Sequence, residues 1–120
     1  MGKLLYVGTY GTDDPTRASM PFVATLGALA RGHEASMVLM GESVYLLKGQ
    51  VADAVHGIGY RPLRRLLDET IEAKVPIYIG SSCAKAREVT EVDFAGMNAY
   101  ITEASDLADL MLAHDRVLSF

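Results

Sequence analysis

Pro76-Ile77-Tyr78-Ile79-Gly80-Ser81-Ser82-Cys83-Ala84-Lys85-Ala86-Arg87 is the stretch on which the fold turns. Three apolar residues held between a proline and a glycine read as a short strand covered on both faces. Two serines and a run of helix formers follow, the pattern of a capped helix start. A strand that passes straight into a helix is half of a β-α-β unit, and such units build parallel sheets covered by helices.

The same unit recurs on either side. Upstream, Pro62 opens a helix in which Leu63, Leu66, Leu67, Thr70, Ile71 and Lys74 recur at spacings of three and four. Ala35 to Met40 is an apolar run closed by Gly41, and Lys3 to Gly8 is another. Asp14 and Pro15 suit the cap and first position of a helix carrying Phe22, Val23, Leu26, Leu29 and Ala30, with Gly32 as its stop. Pro21 inside it predicts a kink or a later start near Ser19. Val44-Tyr45-Leu46-Leu47 reads as one helical turn or as an apolar patch for a partner, and it is the candidate interface. Downstream, Thr90 and Asp93 mark a short helix, Asn98 to Thr102 a fourth strand, Ser105 the cap of a helix, and Arg116 to Phe120 a fifth strand. The expectation is a single domain over residues 1–120, a three-layer α/β/α sandwich with a five-stranded parallel sheet.

Composition narrows the function. At 120 residues with half of them apolar, the chain can bury a core without disulfides or a structural metal. A net charge of −4 with scattered basic residues lacks the stripe that tracks phosphates, so nucleic acid is not an expected partner. One cysteine excludes an internal disulfide, a Cys-rich zinc site and a Cys-x-x-Cys pair. No apolar run reaches bilayer length, and the one at the N-terminus is too short for a signal peptide. The expected setting is the reducing cytoplasm, away from membranes.

Ligands of an open parallel sheet sit outside the carboxyl ends of its strands. Three loops fall there: Thr9, Tyr10 and Gly11 through Asp14; Gly41 and Glu42 through Tyr45; and Gly80 through Lys85. Cys83 lies in the third. In a first helical turn, with Lys85 and Arg87 nearby, its thiolate is favoured over the thiol, and Ser81, Ser82, Ala84 and Lys85 would surround the anion. A packed, inert cysteine is the alternative. Gly8-Thr9-Tyr10-Gly11-Thr12 has the look of a phosphate cradle, but Asp13 and Asp14 repel a phosphate, so the loop is expected to rim the Cys83 pocket instead. His33, His56 and His114 lack metal-ligand spacing, and only His56 is a candidate pocket residue. Met37, Met40, Met97 and Met111 sit at expected core positions. A paired-carboxylate site from Asp13, Asp14 and Glu42 is set against capping and solvation. No metal and no cofactor are expected.

Six segments together resemble the DsrE/DsrF-like family. They are Lys3-Leu4-Leu5, Asp14-Pro15-x-Arg17-Ala18, Arg31-Gly32-His33-Glu34-Ala35, Gly41-Glu42-x-Val44-Tyr45-Leu46, Cys83-Ala84-Lys85-Ala86-Arg87 and Asp115-Arg116-Val117-Leu118-Ser119-Phe120. The resemblance spans the chain, and its most specific stretch is the pentapeptide at Cys83. It implies a flavodoxin-like sandwich assembled as a homo-oligomer, often a trimer or hexamer. It also implies intracellular sulfur relay, with Cys83 taking sulfane sulfur from a donor protein as a persulfide and passing it to an acceptor. Either a sulfurtransferase or a plain carrier fits. The competing reading is a non-catalytic oligomeric binding module with a small-ligand pocket at the carboxyl ends of the strands. Two departures stand out: many relatives have a second cysteine where this chain has Gly80, and a glycine where it has Glu88.

Overall fold

The alternation of apolar runs and helical periods becomes five strands and five α-helices in a computed structural model that describes residues 1–120. β1 (Lys3–Gly8) leads through α1 (Pro15–Ala30) to β2 (Glu34–Leu39). A 3-10 helix (Gly41–Leu47), α2 (Gly49–Ala54) and α3 (Leu63–Glu72) lead to β3 (Ile77–Gly80). α4 (Ser81–Ala86) and a series of turns lead to β4 (Ala99–Thr102), and α5 (Ala104–Leu112) returns to β5 (Arg116–Ser119). All four pairings are parallel, and the strand order, which the sequence leaves open, is β4-β3-β2-β1-β5.

Alternation along each strand divides the apolar residues between two faces. Met37, Leu39, Ile77 and Ile79 point into the main core, where Phe22, Leu46, Leu66 and Leu67 are fully buried beneath the helices. Leu5, Val7 and Val38 point the other way, where Leu107 and Leu110 of α5 meet them. One face is thickly covered and the other thinly.

Local chemistry explains the helix ends. The Asp14 carboxylate accepts the Arg17 amide at 3.0 Å, and Pro15 takes the first helical position. α1 then runs from Pro15 through Pro21, so the late start near Ser19 does not occur. The proline ring lies over Gly8, where an added Cβ would stand 3.1 Å from Pro21 Cγ, so packing against β1 holds the ring in the helix. Two other expectations fail. Thr90 and Asp93 sit in turns rather than a helix, and α5 starts at Ala104 with Glu103 at the cap position and no side-chain cap. The 3-10 helix also corrects the interface assignment. Val44, Leu46 and Leu47 are fully buried, because the helix folds over the main core and its apolar residues fill the space above the sheet.

α4 closes with a Schellman turn in which the Val89 amide donates to Ala84 O at 2.9 Å and the Glu88 amide to Lys85 O at 3.3 Å. This geometry puts Glu88 in the left-handed region, at φ 54°. A side chain there costs free energy that a glycine avoids. Glu88→Gly is therefore expected to raise stability by about 0.5–1 kcal/mol, read by urea denaturation. A variant less stable than the parent would show that the Glu88 side chain holds the turn.

Beyond this turn, the Lys48 ammonium donates to Glu88 O and to Asp93 Oδ2, each at 2.9 Å, and the Thr90 amide donates to the same carboxylate oxygen at 2.9 Å. Burial pushes the Asp93 pKa up, but the Thr90 amide and Lys48 outweigh it and hold the pKa below the usual carboxylate value. A depressed folded pKa adds stability above the unfolded value of roughly 3.9, and that stability is lost as pH falls through the folded pKa. Asp93→Asn is expected to cost on the order of 1 kcal/mol at pH 7. The gap between variant and parent should close in acid below the folded pKa. A gap that is unchanged in acid would mean the carboxylate charge contributes nothing.

Candidate functional site at the β3–β4 crevice

Helices leave the carboxyl ends of β3 and β4 toward opposite faces of the sheet. α4 turns to the main core, where Ala84 and Val89 are buried, and α5 turns to the thin face. Adjacent strands whose connections part in this way leave a crevice between them, the place where open α/β sheets bind ligands. Cys83 stands there, partly exposed, in a cavity of about 80 Å³. β3 and α4 supply Gly80, Ser81, Ser82 and Cys83, and β2 supplies Val38 with Met40 beyond its end. Thr102, Glu103, Ala104 and Leu107 complete the far wall.

Gly80 bears on the sulfur directly. A Cβ added there would lie 3.5 Å from Cys83 Sγ and 3.6 Å from Met40 Cγ, both ordinary contacts. The position that holds a second cysteine in many relatives is thus adjacent to Cys83, and glycine leaves that space open.

The other expected site residues are only partly gathered. Glu42 Oε1 accepts two bonds from Arg87, at 2.7 and 3.2 Å, and Arg87 also donates to Cys83 O at 3.2 Å. The Arg87 guanidinium lies 5.8 Å from the Tyr45 ring centroid. Hydrogen bonding to Glu42 raises the Arg87 pKa further, so its charge is engaged rather than free. Gly41, with φ 56°, turns the chain into the 3-10 helix, and Gly11 packs against the Glu42 backbone.

The remainder point elsewhere. Thr9 donates to Phe120 O at 2.7 Å, across to the β5 side of the sheet. Tyr10 lies beneath Arg17, whose guanidinium is 5.3 Å from its ring centroid. Ala84 is buried in the main core, and Lys85 lines a separate groove with Thr90 and Glu91. The loop after β1 therefore does not rim the cavity, and Lys85 does not reach it. His56 bonds Tyr60 O in an exposed loop, so it does not line the pocket either. His33 Nδ1 accepts the Gly2 amide at 2.9 Å, and the His114 ring bonds Leu110 O at 2.7 Å. Asp13 accepts the Gly11 amide, Asp14 caps α1 and Glu42 holds Arg87, so the three carboxylates form no shared site. Met37 is buried as expected, Met40 and Met97 are half-buried, and Met111 is exposed on α5.

The far wall of the cavity is what sequence reasoning missed. The carboxyl-end rule is the signal that finds it. Applied to the fourth strand as well, it points straight to Thr102 and Glu103.

Three comparisons bear on this arrangement. Residues 2–120 match the model of the DsrE/DsrF-like family. The ychN protein from E. coli has the same fold, with a TM-score of 0.77 at 20% identity over 100% of both chains. A conserved protein of unknown function from Bacteroides thetaiotaomicron, BT1422, has a TM-score of 0.71 at 16% identity, over 99% of this chain and 95% of its own. No curated protein matches the sequence.

Proposed function

The chain belongs to the DsrE/DsrF-like family, and on that premise we propose that it carries sulfane sulfur on Cys83. The observation supporting this most directly is the place of Cys83, a partly exposed residue lining the cavity in the crevice where α4 and α5 part. The Cys83 thiolate attacks the outer sulfur of a donor persulfide, R–S–SH. The donor's S–S bond breaks, R–S⁻ leaves and takes up the thiol proton, and Cys83 holds the new persulfide. No external oxidant is needed. With one cysteine per chain, the thiol that removes the sulfur comes from an acceptor protein.

Intact-mass spectrometry after incubation with a persulfide donor tests the reading. One added sulfur atom is expected on the parent chain and none on Cys83→Ser. Equal uptake by both, or none by either, would overturn it. A Cys83 that resists alkylation in the folded protein, even near pH 9, would favour the non-catalytic module.

The working unit in this reading is a homo-oligomer. No residue from 95 to 120 is buried, and α5 leaves Met111 and Leu112 exposed. A groove of about 520 Å³ lies between β4 and α5, with Tyr78 and Tyr100 stacked at 5.6 Å along it. Exposed apolar side chains beside such a groove support its reading as an interaction face.

A further inference from the structure

We propose that the Cys83 cavity selects its sulfur donor by charge, accepting neutral or cationic persulfides and disfavouring anionic donors such as thiosulfate. The inference rests on the carrier reading and concerns the same site. Glu103 is the one charged residue among those lining the cavity. The cations that sequence proximity assigns to the cysteine are committed or turned away. Arg87 is held by Glu42, Lys48 by Asp93 and Glu88, and Lys85 lines the groove beyond α4.

The rest of the wall is apolar or carries hydroxyls. Val38, Met40 and Leu107 are hydrocarbon or thioether. Ser81, only 7% exposed, lines both this cavity and the groove beyond α4 and carries a hydroxyl. That hydroxyl can donate to an incoming sulfur but supplies no compensating charge. A thiosulfate dianion would shed water there beside a carboxylate, and the nearest cation, Arg87, is already paired with Glu42, which is unfavourable on both counts.

Sulfur uptake by the full chain is measured with thiosulfate, glutathione persulfide and cysteamine persulfide, each rate divided by that for free N-acetylcysteine. The expected ratio of cysteamine persulfide to glutathione persulfide is at least about tenfold. It should shrink in Glu103→Gln and at high salt, where surface charge is screened. Iodoacetamide and iodoacetate, a neutral and an anionic alkylating agent, read the same selectivity without sulfur transfer. A chain that takes up no sulfur yet alkylates about tenfold faster with iodoacetamide, again relative to N-acetylcysteine, sinks the carrier reading but keeps the charge filter. Thiosulfate loading as fast as cysteamine persulfide, or an unchanged ratio in Glu103→Gln, overturns the filter itself.

Discussion

Gly11→Ala is expected to cost about 3 kcal/mol or more, roughly 10 °C or more in Tm. A Cβ at this buried position would fall well inside van der Waals contact with the carbonyl oxygen of Glu42, and 3.0 Å from its carbonyl carbon. The obstructing atoms are backbone, so no side-chain rotation relieves the clash. The strand-to-helix loops after β1 and β2 must separate. That movement reaches the site, because Glu42 holds Arg87, and Arg87 binds the carbonyl of Cys83. The variant should also show altered alkylation of Cys83. Gly27→Ala is the matched control. Nothing lies within 4 Å of its added Cβ, and it sits on the exposed side of α1. There alanine should stabilise by about 0.5–1 kcal/mol through helix propensity. Opposite signs for two glycines give the test its force, and a Gly11→Ala protein as stable as the parent would refute the close approach.

The elements were legible because their signals are local. An apolar run between turn residues makes a strand whatever its neighbours, and the Asp14-Pro15 pair starts α1 by bonds made within one turn. Strand order is not local, and two of the site errors follow from it. Thr9 follows β1, but β1 lies between β2 and β5, so its hydroxyl meets Phe120 rather than Cys83. Thr102 and Glu103 are some twenty residues beyond Cys83 in sequence, and the β3–β4 pairing alone makes them its neighbours.

Charge misled for a related reason. Lys85 and Arg87 lie close to Cys83 along the chain, but a helix sends residues two apart to different sides. Lys85 therefore faces the groove beyond α4, and Arg87 reaches back to Glu42. Val44-Tyr45-Leu46-Leu47 misled because hydrophobicity does not say what buries a residue. Here the chain's own core does.

In the oligomeric reading the interface is expected at the opposite end of the sequence, and Leu112→Asp with Met111→Asp is expected to convert an oligomer into monomers. A parallel sheet needs cover on both faces. The thin face has α5 alone, which buries none of its own residues, and the edge strands β4 and β5 are both unpaired on their outer sides. Leu112 is 85% exposed and Met111 43% exposed in the isolated chain. Burying one leucine side chain contributes about 1.5–3 kcal/mol, whereas an aspartate in its place would bring a charge into the contact at a cost of several more. Both sites are exposed in the single chain, so the double variant should keep its far-UV circular dichroism while its light-scattering mass falls to that of one chain. Ile58→Asp, an exposed apolar residue bonded through its amide to Thr16 on the α1 side, should leave the mass unchanged. A parent protein that is monomeric at micromolar concentration, or a double variant that keeps the parent's mass, would remove this face as the interface. The outcome bears on the sulfur site as well. Thr102 and Leu107 line the Cys83 cavity from β4 and α5, the same elements the second copy is expected to cover, so loss of assembly should change how fast Cys83 is alkylated.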